Sequence, residues 1–238
     1  MSKNELEHLN QVARIYGNEA GALNRDIASY YSLKCTLRHV SGGRILQLGL
    51  GDGLIASALA AISSASLDVI EGASAVIAQV PSDGTYQVIH TLFEDYRPGG
   101  LYDYVVGNHV LEHVADPVAI VSLVKNWLRP GGLAIFTVPN ANSLHRRIGV
   151  AMGLLKHVQE LNAQDLELGH RRVYTIPEIR DDLSRAGFTD VTIKGYMLKM
   201  VSHAQMKGWS RSLLDAIYDV SIEADPNICS NILALCKR

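Results

Sequence analysis

The stretch RILQLGLGDGLIA, residues 44–56, constrains this chain more than any other. A short apolar run ends in Gly49-Leu50-Gly51-Asp52-Gly53, and a helical pattern opens at Leu54. Glycines at alternate positions let the backbone turn tightly and let a ligand approach with no side chain in the way. The free N–H groups at the start of the following helix can meet an acceptor or a carboxylate. The spacing is G-x-G-x-G. A dinucleotide fingerprint calls for G-x-G-x-x-G, and Leu54 stands where its third glycine belongs. A pyrophosphate turn is weakened accordingly, and a plain glycine-rich strand–helix connection is the other reading.

The rhythm that follows supports a sheet. Strands are expected at 44–48, 67–70 (ending at Glu71), 87–92, 102–106 and 133–138. Helices are expected at 54–62, 74–80 (stopped by Pro81) and 117–128. Short, nearly continuous apolar strands alternating with helices indicate a parallel sheet covered on both faces, doubly wound by right-handed crossovers. An apolar fraction of 47% in 238 residues supplies such a core. After residue 139 the rhythm breaks. A helix at 177–186 and strands at 191–199 and 228–236 complete the pattern, with largely helical stretches between them. Amphipathic helices are expected at 2–31 and again at 23–38. We read one domain, 1–238: N-terminal helices at 1–40, a ligand-binding core at 41–139, and cap insertions at 140–174 and 203–227.

Charge narrows the function classes. Lys plus Arg number 22 and Asp plus Glu 24, for a net charge of -2. A basic footprint for nucleic acid is missing, so no nucleic-acid partner is expected. Cys35, Cys229 and Cys236 make neither a disulfide framework nor a zinc set. No apolar run approaches the roughly 18 residues that span a bilayer, and the polar start carries no signal-peptide core. The expectation is a cytoplasmic protein without a membrane partner.

Glu71 ends the second strand, where an acidic side chain can accept from both hydroxyls of a ribose; an ordinary solvated carboxylate is the alternative. In order, RILQLGLGDG, DVIEGA, TLFEDY, YDYVVGNHVLEHVADP and LRPGGLAIFTVPN resemble the class I S-adenosylmethionine-dependent methyltransferases over residues 44–140, and less specifically over 174–236. The resemblance implies an α/β fold, a doubly wound seven-stranded Rossmann-like sheet whose last strand is antiparallel, and S-adenosyl-L-methionine as cofactor. It implies that Gly49, Gly51 and Gly53 cradle the cofactor's amino-acid part. Glu71, with Gly72 beside it, would hold the ribose. Leu92 and Phe93, with Glu94 or Asp95, would line the adenine pocket. Asn108 and His109 would stand near the methionine end, and Tyr16 would reach the carboxylate. The family usually opens the glycine motif with Glu or Asp, whereas this chain has Gln47. An amide can still accept from the cofactor's amino group, without the charge attraction.

The run Asn108-His109-Val110-Leu111-Glu112-His113 carries its own chemistry. H-x-x-E-H is an inverted-zincin order on a helix, but the resemblance puts it on a strand-to-helix loop, and no metal is expected. There His113 becomes a candidate general base, with His109 beside it, because a reference pKa near 6.5 suits accepting a proton from a nucleophile. Packing or capping of the next helix is the alternative for His113. Glu112 would orient a neighbour.

The acceptor should lie above the carboxyl ends of the strands, under the two insertions. The first carries Asn140, Asn142, His145, Arg146 and Arg147, then Gly169-His170-Arg171-Arg172-Val173-Tyr174. Such basic clusters suit an acceptor with phosphate, carboxylate or many hydroxyls, or they are a solvated cap surface paired to Asp165 or Glu167. A softer similarity of PNANSLHRRIG and GHRRVYT to sugar and polysaccharide-pathway methyltransferases makes His145, His170, Arg171 and Tyr174 the acceptor-site candidates. His203, Gln205 and Met206 would complete the pocket or a subunit contact. Trp209, Leu213, Leu214, Ile217 and Tyr218 form an apolar stripe that serves a core or a homodimer seam. The expected reaction is methyl transfer to a hydroxyl or amine of a small polar acceptor, a sugar derivative among them. A quinone-like or other aromatic acceptor is the alternative, and a binding protein without catalysis is the reading Gln47 would favour.

Overall fold

The computed structural model describes residues 25–80 and 84–238. Tyr16, Pro81 and most of the expected N-terminal helices lie outside these residues. The strands are β1 (Gly43–Leu48), β2 (Ala65–Glu71), β3 (Gln87–His90), β4 (Tyr102–Asn108), β5 (Leu128–Pro139), β6 (Asp190–Tyr196) and β7 (Asn231–Lys237). They form one seven-stranded sheet in the order β3-β2-β1-β4-β5-β7-β6. The first five strands run parallel. β7 slots between β5 and β6 and runs antiparallel to both, so the last strand is the reversed one.

Both faces of the sheet are buried because neighbouring residues along each strand serve opposite cores. Leu46, Leu48, Val105 and Phe136 face one side. There they meet Ile120, Val121, Val124 and Trp127 of α4 (Pro117–Trp127) and Ile179 and Leu183 of α7 (Ile176–Arg185). Ile45, Val69, Val106 and Ile135 face the other. Their partners come from α1 (Tyr30–Leu37), α2 (Leu54–Ala60) and α8 (Arg211–Ser221). Each fully buried aliphatic side chain contributes about 1.5–3 kcal/mol relative to exposure.

Local chemistry starts the helices where the sheet needs them. Asp116 caps α4 by accepting from the Ala119 N–H at 3.0 Å, with Pro117 following. Thr175 and Glu178 form a reciprocal capping box at α7. The remaining α-helices among the described residues are α3 (Ser74–Gln79), α5 (Leu144–Ala151) and α6 (Ala163–Glu167). α5 and α6 build the first insertion. Asn140 pins it to the second: its side-chain amide donates to the carbonyls of Cys229, Asn227 and Pro226 at 2.8, 3.1 and 3.1 Å.

The element boundaries differ from expectation mostly by a residue or two. One difference has consequences. The sixth strand stops at Tyr196 and does not run on to Lys199. Met197 has φ +60, outside the strand region. Its N–H donates to Ser221 Oγ and its carbonyl accepts from the Ser230 N–H, both at 2.7 Å. The ladder ends there, and the chain turns across the strand ends. The apolar stripe of α8 is only half core. Leu214 and Tyr218 are buried, with Tyr218 stacked on Tyr31 at 5.3 Å, whereas Leu213 and Trp209 stay exposed. No described helix is long and apolar enough to cross a membrane.

Candidate active site

A cavity of about 510 Å³ opens at the carboxyl ends of β1, β2 and β4, beneath the insertions. That size suits a cofactor and a small acceptor together. One half follows the glycine turn. Gly49, Gly51 and Gly53 all have positive φ, at +76, +58 and +79. Their roles separate. Gly49 and Gly51 line the cavity, and a Cβ on Gly51 would meet nothing within 4 Å. Gly53 does not line it; a Cβ there would collide with Val80 Cγ1. Of the three glycines expected to form the cradle, two line the cavity, and the third packs closely against Val80 behind the turn.

Gln47 is buried at the base of the turn. Its Nε2 donates to the Gly49 carbonyl at 2.7 Å, while its Oε1 has no partner. A buried acceptor without a donor costs about 1–3 kcal/mol, and an ammonium group entering the cavity would satisfy it. Glu71, at the end of β2, is buried too. Its oxygens accept from the Leu50 N–H at 2.9 Å and the Ala73 N–H at 2.7 Å. Burial pushes its carboxyl upward, and the N–H bonds from Ala73, Leu50 and Gly72 pull partly back. With three N–H donors on a carboxylate that can accept about four, an acceptor direction is left for a hydroxyl. Gly72, Leu92, Phe93, Glu94 and Asp95 complete this half. An orphaned acceptor, a carboxylate with free lone pairs and an open glycine fit the amino-acid and ribose parts of S-adenosylmethionine.

The other half begins where β4 ends. Asn108 bonds Thr36, its Nδ2 donating to Thr36 Oγ1 at 3.0 Å. His109 adopts φ +53, a conformation non-glycine residues enter rarely and mostly under local constraint. Its N–H donates to the Thr137 carbonyl at 2.9 Å. Its ring lies between the buried Glu112 carboxylate, 3.0 Å from Nδ1, and the Tyr196 hydroxyl, 3.3 Å from Nε2. Tyr196 in turn bonds Ser32 at 2.6 Å. Burial pushes the Glu112 carboxyl up, but His109, His113 and His170 outweigh it and hold it below its ordinary value.

His113 lines the cavity and stacks edge-on against His170, centroids 4.8 Å apart. Burial, with His170 and His109 nearby, lowers it to about 4 against the opposing pull of Glu112. Its imidazole is neutral at pH 7. One donor atom from each of Glu112, His113 and His170 lies within 4.8 Å of the others, so these side chains could hold a metal ion. His170 Nδ1 stands 3.3 Å from Asp165 Oδ1, close enough for an ion pair but out of line for a hydrogen bond. Burial opposes the Asp165 charge, yet His170, the Asn162 N–H and Arg146 hold the carboxyl at about 2.

The insertion residues divide unexpectedly. Tyr174, expected at the acceptor site, does not line the cavity: it is buried, and its hydroxyl donates to Asp182 at 3.0 Å. Arg146 is tied down by Asp165 at 3.0 Å, by the Val158 carbonyl at 2.6 Å and by the Glu160 carbonyl. Arg172 donates to the carbonyls of Leu111, Val114 and Ala115. His145, His170 and Arg171 do line the cavity, as does His203. Lys199, hidden in the pattern of a strand, lines it as well.

Sheet order, reversed last strand, glycine turn and acidic strand end together define an S-adenosylmethionine-dependent methyltransferase of class I. The chain belongs to the family described as "Methyltransferase domain", whose model matches residues 20–193. Two curated relatives are named "Ubiquinone biosynthesis O-methyltransferase". That of Roseobacter denitrificans is 29% identical over 77% of this chain and 72% of its own. That of Dinoroseobacter shibae is 31% identical over 72% and 68%. A solved methyltransferase from Thermotoga maritima, described as a possible histamine N-methyltransferase, shares the fold at a TM-score of 0.69 and 14% identity. That match covers 97% of this chain and 99% of the other.

Proposed function

We propose that this enzyme methylates a hydroxyl oxygen of a compact phenolic acceptor, and that His113 takes the proton. The observation that carries the reading is the neutral imidazole of His113 on the cavity wall, beside the buried Glu112 carboxylate. Gln47, Glu71, Gly49 and Gly51 hold the cofactor, with Leu92 and Phe93 against its base. S-adenosylmethionine brings a methyl group on a sulfonium, ready for in-line displacement. The chain's part is to align the oxygen, exclude water and receive the proton.

The basicity of His113 discriminates among nucleophiles. An ammonium near pKa 10 has no lone pair until it loses its proton, and a base near 4 would leave it protonated. A hydroxyl already has a lone pair, and its proton becomes acidic as the C–O bond forms. A phenol, with pKa about 10, is nearer to ionisation than an alkanol, whose acidity is close to water at about 15.7. The names of the two curated relatives support oxygen as the target and favour the quinone-like acceptor over a sugar. The two arginines held by carbonyls remove much of the reason for a sugar.

The test is transfer of labelled methyl to catechols, sugars and amines. Catechols should be the substrates. His113→Ala should lower kcat by about 10²–10⁴-fold, the span of general acid–base catalysis, with cofactor affinity little changed. The wild-type kcat should stay level from pH 8 down to about pH 5, because His113 titrates near 4. Methylation of amines alone, or an acid limb centred near 6.5, would overturn the proposal.

A further inference from the structure

We propose that the acceptor carries an oxyanion, a carboxylate or a phosphate monoester, and that Lys199, His145 and His203 form the subsite that binds it. This rests on the reading of the cavity as the acceptor site and names a property of that acceptor.

The three side chains come from different places in the chain, and all three line the cavity. His145 is on α5. Lys199 and His203 belong to the segment that Met197 turns across the strand ends. Both histidines feel the charge of neighbours in the trio: His145 that of Lys199 and His203, and His203 that of Lys199. Lys199 forms no hydrogen bond or ion pair with any described residue, and it lines the cavity. His145 Nδ1 is buried with no partner. The nearby charges are accounted for. Arg146 and Asp165 neutralise one another at 3.0 Å, and His170 stands against the same carboxylate. Among the described residues, Lys199 is left without a counterion in this half.

An enclosed ammonium without a counterion is costly, and the groups here register that cost. Burial lowers Lys199 to about 8, with Arg146 adding and Asp165 opposing. Burial, then Lys199, Arg146 and His203, lower His145 to about 2, while Asp165 opposes. Burial, Lys199 and His109 push His203 down. An oxyanion among them reverses the balance. It supplies a counterion for Lys199 and acceptors for the imidazole N–H groups. One uncompensated positive charge matches a singly charged carboxylate; a phosphate dianion would draw a proton onto an imidazole as well. Neither a hydroxyl nor an amine offers Lys199 this compensation.

The experiment uses the full chain loaded with S-adenosylhomocysteine for binding, and with S-adenosylmethionine for turnover. The probes are benzoate and inorganic phosphate for binding, and catechol against 3,4-dihydroxybenzoate for turnover. Benzoate or phosphate should bind, and whichever binds tighter identifies the oxyanion. The kcat/KM preference for dihydroxybenzoate over catechol should fall at least tenfold in Lys199→Met and be largely restored in Lys199→Arg. His203→Gln provides a second variant should Lys199→Met fold poorly, with a smaller fall in the same ratio. An equal kcat/KM for the two acceptors, or a Lys199→Met loss shared equally by both, would overturn the subsite. If no phenol is methylated while anion binding still depends on Lys199, the hydroxyl reading fails and the subsite stands.

Discussion

Substituting alanine at Gly51 and at Gly53 should break the enzyme in two different ways. Both glycines sit in left-handed backbone, at φ +58 and +79, where an L-residue costs about 1–2 kcal/mol. Beyond that shared strain their surroundings diverge. The added methyl at Gly53 runs into Val80 Cγ1, and overpacking of this kind costs about 1–3 kcal/mol. Gly53→Ala should therefore lose about 2–5 kcal/mol of folding stability. That is a large part of the 5–15 kcal/mol typical of a domain. The methyl at Gly51 meets no protein atom within 4 Å and projects into the cavity. Gly51→Ala should lose only about 1–2 kcal/mol of stability but at least tenfold in cofactor affinity. Urea unfolding gives the first quantity, and calorimetric titration with S-adenosylhomocysteine gives the second. Adding Val80→Ala to Gly53→Ala should recover the collision part of the loss and leave the strain, a coupling that a double-mutant cycle isolates. If Gly53→Ala stays stable and weakens the cofactor as much as Gly51→Ala does, Gly53 touches the ligand and the separation of roles is wrong.

Two further outcomes follow from the histidines. Added zinc should inhibit turnover and a chelator should restore it, because Glu112, His113 and His170 can converge on an ion and an ion would occupy the lone pair His113 needs; stimulation by zinc would refute the base assignment. Unfolding stability should rise with pH between about 4 and 6.5. His113, His145 and His203 are depressed by burial, so the unfolded chain binds more protons than the folded one across that window. Glu71 and Asp182, raised by burial, oppose the trend with fewer groups. A urea midpoint at pH 5 equal to or above that at pH 7 would contradict this balance.

The sheet and the cofactor half were legible because they are local. Strand, glycine turn and helix lie within one continuous stretch, residues 43–60, and a period-two or period-3.6 pattern reads within such a window. The reversal of β7 came from resemblance, since nothing in Asn231–Lys237 states its direction. The cap was legible only in part. His145 and His170 line the cavity as expected. Tyr174 looked equivalent in sequence but packs under α7, because Asp182, one helix further on, accepts its hydroxyl. Lys199 was missed because Val191, Ile193 and Met197 carry an alternating apolar pattern up to it. The signal that ends the strand is the backbone of Met197, held by Ser221 and Ser230 from far along the chain.

Basic residues in this cap show why charge along a sequence is a poor guide to a binding site. Arg146, Arg147, Arg171 and Arg172 form the conspicuous clusters. Yet a guanidinium has five donors in a planar fork, and a cap built from loops has carbonyls in need of donors. Arg146 and Arg172 are drawn into that work, together bonding five backbone carbonyls. Lys199 stands alone in an apolar-looking run and has a compact ammonium on a flexible stem, which cannot bridge spread carbonyls in the same way. Among the described residues it remains without a partner, lining the cavity. What marks a charge as functional here is what the fold leaves uncompensated, and that depends on the partners folding brings, not on the residue's neighbours in sequence.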